Sequence, residues 1–225
     1  MRYDHEAMIG IVALEAHRAG ALVVGEDLGT VEPWVRDYSL LRGLLGTSIL
    51  WFELDRDGTG GPLPAERWRE YCLSSVTTHD LPPTAGYLAG DHVRLRESLG
   101  LLTRPVAEEL ESDRAELAAW MSELRRVGLL GEHDPDRDPD PEQIVLALYR
   151  YLGRTPSRLL GVALTDAVGD RRTQNQPGTT DEYPNWRVPL TGPDGRPVTL
   201  EDVFTNRRAA ALAEAVRATL APPTI

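Results

Sequence analysis

The sequence lacks the features that would link it to nucleic acid, to a membrane or to an oxidising compartment. Cys72 is its only cysteine, so no intrachain disulfide can form, which favours a reducing cytoplasm. The formal net charge is -11, whereas nucleic acids and anionic membranes require basic patches. No apolar run approaches the roughly 20 residues that cross a bilayer, and Met1–Glu6 does not resemble a signal peptide. These absences predict a soluble cytoplasmic protein, and a neutral ligand such as a sugar is compatible with its surface.

One unit near the start of the chain combines a short apolar run, two acids and a helical pattern. Ala21–Val24 contains two valines and lies between two glycines, which predicts a fully buried strand of a parallel sheet. Glu26 and Asp27 follow directly, and a helical pattern begins soon after them. A strand that ends in an acid and leads into a helix is typical of βα barrels, which place reactive groups at strand ends. The alternative is an acidic turn that satisfies the next helix N-terminus.

The remaining pattern predicts an α/β chain of 225 residues, enough for a sizeable core. Apolar and β-branched runs predict strands at 21–25, 48–53, 72–78 and 158–165. Helical spacing predicts helices at 6–19, 65–71, 93–101, 106–127, 141–152 and 199–220, and another that begins near Pro33. We expect Thr30 to cap the helix near Pro33, and Asp140 to cap the helix that begins at Pro141.

Carboxylates follow three of the four predicted strands. They are Glu26, Asp80 and Asp166, and the loop after the second strand adds Asp55 and Asp57. In a barrel, such acids converge on one mouth, where shared burial pushes their pKa values apart. Glycoside cleavage needs this arrangement, because one acid protonates the leaving oxygen while another carboxylate attacks or stabilises positive charge. The interpretation therefore requires Glu26 and Asp80 to face one cavity.

Two other features can be interpreted either as ligand-binding sites or as ordinary structural elements. Four aromatic residues offer faces for sugar stacking or simply fill the core or the rim: Trp51, Tyr87, Tyr183 and Trp186. The acidic and proline-rich run 133–141 superficially suggests a calcium loop, but it lacks the mid-loop glycine and the closing glutamate. We therefore expect a solvated turn there.

Three motifs, in the right order, resemble the 4-α-glucanotransferases, also called amylomaltases or disproportionating enzymes, of the wider α-amylase clan. They are Gly25–Thr30 (GEDLGT), Thr77–Pro82 (TTHDLP) and Asn175–Arg187 (NQPGTTDEYPNWR). The run Leu14–Gly25 is also similar to the segment that leads into the acid strand of that family. Each motif alone is weakly specific, but together they span nearly the whole chain. The resemblance implies transfer of α-1,4-glucan segments between maltooligosaccharides with retention, through a covalent glycosyl-enzyme and without a metal or organic cofactor.

The resemblance also implies roles for individual residues. Glu26 would be the general acid and base, and Asp80 would bind the ring hydroxyls and stabilise the transition state. His79 would bind the same hydroxyls, and Asn175 would contact the donor sugar. Asp55 would lie near the acceptor side, where Trp51 would form an apolar wall.

The nucleophile is where this sequence departs from the family pattern. The family carries it in an Arg-x-Asp-His motif at the end of an earlier strand. Residues 2–5 match those letters, but no apolar strand precedes them, and Met1–Tyr3 aligns better with a Val-Arg-Tyr segment before the acid strand. We therefore expect Asp4 to cap a helix and the nucleophile to lie upstream.

The expected fold is the C-terminal half of a (β/α)8 TIM barrel, strands five to eight, with a helical insertion. Residues 1–90 would hold βα units with the acid-bearing strands, 91–153 the insertion, and 154–225 the last strand, substrate loop and closing helix. The half with the nucleophile would be missing, so we expect no activity from this chain alone. One alternative is a non-catalytic α-glucan-binding remnant. Another is an unrelated βα-barrel enzyme whose Asp55, Asp80 and Asp166 bind a divalent metal.

Overall fold

The computed structural model describes residues 3–132 and 140–220, so the predicted turn at 133–139 lies outside the described residues. These described residues contain three short strands: β1 (Gly46–Ile49), β2 (Cys72–Ser75) and β3 (Leu159–Leu160). The described helices are α1 (His5–Ala19), α2 (Pro33–Leu40), α3 (Thr84–Leu88), α4 (Asp91–Ser98), α5 (Val106–Arg126), α6 (Pro141–Leu152), α7 (Leu164–Val168), α8 (Leu200–Thr205) and α9 (Arg207–Leu220). No helix of this described part is both long and apolar enough to cross a membrane.

The strands form one parallel sheet in the order β1-β2-β3. Gly46 of β1 pairs with Cys72 of β2, and Leu73 of β2 pairs with Leu159 of β3. The predicted strand at 21–25 is reduced to a single parallel bridge between Val24 and Leu45. The prediction of full burial there is wrong, because this segment has a paired neighbour on one side only in the described structure, and Leu22 is 70% exposed.

The other three strands are also shorter than predicted. After Ile49 the chain turns into a short 3₁₀ helix, Leu50–Phe52, which directs Trp51 into the core instead of continuing the strand. The strand at 158–165 keeps only two residues, because the chain enters α7 at Leu164. Asp166 therefore lies in a helix and not just beyond a strand.

Helix ends agree better with the sequence, because caps are local. Asp4 caps α1 by accepting a hydrogen bond from the Ala7 amide at 3.1 Å, and Gly20 ends that helix with a φ of 61°. Asp140 caps α6 in the same way, as predicted. Thr30 does not cap α2, whose N-cap is Glu32. The predicted closing helix is divided at Asn206, which is extended and accepts a hydrogen bond from the Arg208 amide at 2.8 Å.

The core surrounds α6, in which eight of twelve residues are buried. Trp51, Trp120, Leu146 and Leu212 belong to the same buried cluster. These four residues come from all three segments of the predicted division, so the segments share one core. The division at 90 and 153 stays a prediction.

Candidate functional site

Polar residues beyond the carboxyl end of β2 form the best-defined cluster of candidate site residues. After β2, the segment 77–82 folds into a turn in which the Thr77 hydroxyl donates to the Pro82 carbonyl at 2.8 Å. This turn exposes His79 and Asp80, whose side chains approach to 3.5 Å between Nε2 and Oδ1. The turn thus directs an imidazole and a carboxylate away from the sheet into solvent.

Asn175 reaches the same place from a distant part of the chain. Its side-chain amide donates to Asp80 Oδ1 at 2.6 Å, and its backbone amide donates to the His79 carbonyl at 3.2 Å. These two bonds join loops 95 residues apart in sequence. Three of the residues that the resemblance implied for sugar binding therefore lie together.

Trp186 completes this group. Its ring centroid lies 5.0 Å from that of His79, with 43° between the ring planes. We call His79, Asp80, Asn175 and Trp186 the Asp80 cluster. It contains an acceptor, a donor and an aromatic face, which are the groups that bind sugar hydroxyls and the apolar face of a pyranose ring.

A cavity of about 410 Å³ extends from this cluster along the sheet. Alternate residues of β1 and β2 line it, namely Thr47, Ile49, Leu73 and Ser75, and His79 lies at its edge. Since alternate residues of a strand share one face, the cavity covers one side of the sheet. The cluster therefore lies where this face meets the carboxyl ends of the strands.

Glu26 borders a different cavity from the one that His79 borders. It is exposed, two residues beyond the Val24 bridge, and lines a different cavity of about 460 Å³ with Asp27, Arg69 and Tyr71. No hydrogen bond links Glu26 to the Asp80 cluster in the described part of the chain. The requirement that Glu26 and Asp80 face one cavity stays a prediction.

Asp27, next to Glu26, has a structural position that sequence reasoning did not identify. It accepts a hydrogen bond from the Thr47 amide at 2.9 Å, so its carboxylate takes the place of a strand partner beside β1. Arg69 and Arg36 both form ion pairs with it. Burial alone would raise the pKa of Asp27, but the hydrogen bonds from Arg69 and Thr47 and the two positive charges hold it below 3.8.

Replacing Asp27 by asparagine is expected to lower the free energy of unfolding by about 2 kcal/mol, because charge-assisted hydrogen bonds are lost. The lowered pKa means that ionised Asp27 stabilises the folded state above pH 3.8 and loses this effect as pH falls through the folded-state pKa. The difference from wild type should therefore shrink below pH 3.8 in urea unfolding followed over pH. Asp57→Asn, in an exposed loop, is the control. A difference that stays constant with pH would contradict this assignment.

Asp55 and Trp51 make their contacts outside the Asp80 cluster. Asp55 accepts hydrogen bonds from Arg67 at 2.8 Å and from the Thr59 amide at 3.1 Å, and so organises its own loop. These bonds lower its pKa, the Thr59 bond most strongly. Trp51 is only 6% exposed and packs against Tyr87 at 4.4 Å between ring centroids. The expectation of an apolar wall at Trp51 is therefore not met, because its ring is part of the core.

Asp166 is buried and not at a strand end. It accepts hydrogen bonds from the Thr84 amide and hydroxyl at 2.7 and 2.6 Å and from the Tyr149 hydroxyl at 2.9 Å. No group of three or more His, Cys, Asp or Glu side chains in residues 3–132 and 140–220 could hold a metal ion. The alternative of a metal site with Asp55, Asp80 and Asp166 is wrong, since Asp166 is enclosed by these donors.

The fold and the cluster define an α/β protein whose polar residues gather beyond the carboxyl ends of parallel strands. The sequence model of the glycoside hydrolase 77 family, described as 4-alpha-glucanotransferase, matches residues 1–194. The chain belongs to this family, which confirms the resemblance.

The relatives that this chain matches are longer than the chain itself. The 4-alpha-glucanotransferase of Mycobacterium tuberculosis H37Rv is 82% identical over 99% of this chain and 31% of its own length. The crystal structure of amylomaltase from Corynebacterium glutamicum is 44% identical, with a TM-score of 0.90 over 96% of this chain and 31% of that chain. Amylomaltase from Streptococcus agalactiae, in complex with acarbose, is 20% identical with a TM-score of 0.56 and supports the fold alone. The chain therefore spans about 31% of the length of the relative with 82% identity.

Proposed function

We propose that this chain supplies the acid and the sugar-binding residues of a 4-α-glucanotransferase that acts on α-1,4-glucans. The observation that carries the proposal is the hydrogen bond of 2.6 Å between Asn175 and Asp80, beside His79. The family resemblance assigns contacts with the sugar to all three of these residues. In this proposal Asp80 and His79 bind ring hydroxyls, Asn175 contacts the donor sugar, and Glu26 is the general acid and base.

The proposed architecture is that of strands five to eight of a (β/α)8 barrel. The parallel order of the sheet and the TM-score of 0.90 with the C. glutamicum amylomaltase support it. In this arrangement residues 91–153 are a helical insertion between the seventh and eighth barrel strands. For Asp55 we propose a role in organising its loop. Contact with the acceptor sugar is not part of the proposal.

Retaining transfer needs two carboxylates, one to protonate the leaving oxygen and one to attack the sugar carbon. Glu26 and Asp80 leave the attacking role unfilled, since Asp80 is assigned to the ring hydroxyls. Asp4 is engaged as the N-cap of α1, which speaks against it as a nucleophile. We therefore propose that the 225-residue chain does not catalyse transfer alone.

The second candidate is α-glucan binding without turnover. The hydrogen bond between Asn175 and Asp80, which does not involve Glu26, favours it, because a binding site needs the cluster but not the acid. The two candidates share the cluster and differ in whether Glu26 takes part in chemistry.

Titration with maltoheptaose and with acarbose, the ligand in the S. agalactiae amylomaltase complex, tests the sugar site. We expect Asp80→Asn to weaken binding at least about tenfold, which corresponds to about 1.4 kcal/mol, because hydroxyl donors lose a charged acceptor. Isothermal titration calorimetry measures this. Asp194→Asn is the matched control, since its side chain is exposed to a similar degree, 57% against 48% for Asp80.

Chromatography of maltotriose incubated with the same proteins tests catalysis. We expect no longer oligosaccharides from the chain alone. Transfer products that disappear in Glu26→Gln would overturn both the inactivity and the binding-only candidate. Absence of any binding by the wild-type chain would refute the assignment of the Asp80 cluster to sugars.

A further inference from the structure

Trp186 combines two features that proteins rarely tolerate together. Its φ is 61°, and among the described residues it is the one non-glycine residue with a positive φ. Bulky residues avoid this left-handed region because the side chain crowds the backbone. The residue is nevertheless 65% exposed, so burial in the core does not compensate for the strain. Strain of this kind concentrates at binding sites.

The surrounding loop, residues 173–187, imposes this conformation. The Trp186 amide donates to the Gln174 carbonyl at 2.9 Å. The preceding residue, Asn185, accepts from the Gln176 amide at 2.8 Å and donates to the Thr179 hydroxyl at 2.8 Å. The Tyr183 hydroxyl donates to the Thr173 carbonyl at 2.6 Å. The loop is thus crosslinked on both sides of an indole that it holds out in solvent.

The indole lies beside groups that suit one class of ligand. His79 lies 5.0 Å away between ring centroids. Asn175 donates to the Asp80 carboxylate with its side chain and to the His79 carbonyl with its backbone amide. A pyranose ring has an apolar face of C–H groups and an edge of hydroxyls. The indole matches the face, and the carboxylate and amide match the edge. The cluster has no surplus of positive charge, which favours a neutral sugar over a phosphorylated one.

We propose that Trp186 is the stacking platform of a pyranose subsite, with the hydroxyl edge of the same ring held by Asp80 and Asn175. This inference rests on the proposed function, because it names one contact of the same sugar site. Trp186 determines specificity by accepting flat pyranose faces with equatorial hydroxyls, as in glucose. The backbone strain is the cost of keeping the indole exposed and preorganised.

The test compares Trp186→Ala with Trp186→Phe in calorimetric titrations with maltoheptaose. We expect alanine to raise Kd at least about tenfold and phenylalanine less than about threefold, because phenylalanine keeps an aromatic face. Trp34→Ala is the matched control, since Trp34 is 52% exposed in a separate aromatic group with His5 and Tyr38. Urea unfolding of each variant checks that the fold is retained.

Fluorescence provides a readout that a purely structural role would not change. Trp51, Trp68 and Trp120 are buried, so in a Trp34→Phe background a change in emission with maltoheptaose reports on Trp186. We expect this change to vanish when Trp186→Phe is added.

Three outcomes would overturn the inference, and they are distinguishable. If Trp186→Ala binds maltoheptaose as wild type does while Asp80→Asn does not, the stacking role is refuted and the proposed function stands. If alanine and phenylalanine weaken binding equally in folded protein, the aromatic face is not the binding element. If the wild-type chain binds no maltoheptaose, both this inference and the assignment of the cluster to sugars fail.

Discussion

Replacing Asp166 by alanine is expected to lower the free energy of unfolding by about 4 kcal/mol, the largest effect of any substitution proposed for this chain. The carboxylate is buried, with 5% of the residue exposed, and accepts three hydrogen bonds from Thr84 and Tyr149. Tyr149 in turn accepts a hydrogen bond from the Ala163 amide at 3.1 Å. Alanine would leave three buried donors without an acceptor, and each costs about 1–3 kcal/mol.

Urea or thermal unfolding measures this loss. Asp194→Ala is the control, because this aspartate lies in an exposed turn and its removal should change stability by less than about 0.5 kcal/mol. Binding of maltoheptaose should weaken along with stability, since Asp166 ties the start of α3, just after the Asp80 turn, to α6 through Tyr149. Equal stability of Asp166→Ala and Asp194→Ala would refute the buried role.

The pH dependence of Asp166→Asn sharpens this test. Burial raises the pKa of Asp166 above 3.8, although the hydrogen bonds from Thr84 and Tyr149 act in the opposite direction. A folded-state pKa above the unfolded one means that the folded protein holds the proton more tightly. The contribution of this group to stability therefore declines as pH rises from 3.8 through the folded-state pKa. Asparagine does not titrate, so this part of the decline should be absent in the variant.

Replacing Gly86 by alanine is expected to lower the free energy of unfolding by about 3 kcal/mol. Gly86 lies in α3, and a Cβ there would overlap the carbonyl oxygen of Arg171. Because the obstacle is backbone, the new methyl group can be accommodated only if α3 or the chain at Arg171 moves. Such movement would also disturb the loop that begins at residue 173 and carries Asn175 and Trp186.

Gly10→Ala is the control, and we expect it to change the free energy of unfolding in the opposite direction. Gly10 lies inside α1, and no atom lies within 4 Å of the position of its added Cβ. Alanine is a better helix former, so this change should raise stability by about 0.5–1 kcal/mol. Chemical denaturation of the two variants under one set of conditions compares them. If Gly86→Ala unfolds at the same urea concentration as Gly10→Ala, α3 does not approach Arg171 as closely as described.

The sequence predicted helices better than strands, and the reason is physical. Asp4, Gly20 and Asp140 cap helices through bonds to residues within a few positions, so local pattern is sufficient. Strand ends depend on distant partners. The run 158–165 has the composition of a strand, yet only Leu159–Leu160 pairs with β2 before the chain enters a helix.

The candidate site follows the same division. The hydrogen bond between Asp80 and Asn175 spans 95 residues, and the family resemblance indicated only that each residue contacts sugar. The local pattern could not show that Trp51 is buried while Trp186 stays exposed. Neither tryptophan lies in a segment with helical spacing, so the pattern does not indicate which way its side chain points. The role of Asp27 was missed because its partners, Thr47 and Arg69, lie 20 and 42 residues away.

The contrast between α6 and α1 has a consequence for dynamics. Helix α6 buries eight of twelve residues, whereas α1 and α2 bury none. Segments with little burial open locally at low free energy, while a deeply packed segment opens only with the whole molecule. The Asp80 turn is connected to this deeply packed helix through Thr84, Asp166 and Tyr149. Glu26 lies between α1 and α2, and its neighbour Asp27 connects this segment to Thr47 and Arg69. An acid poised for proton transfer at Glu26 would rely on this connection to hold its position.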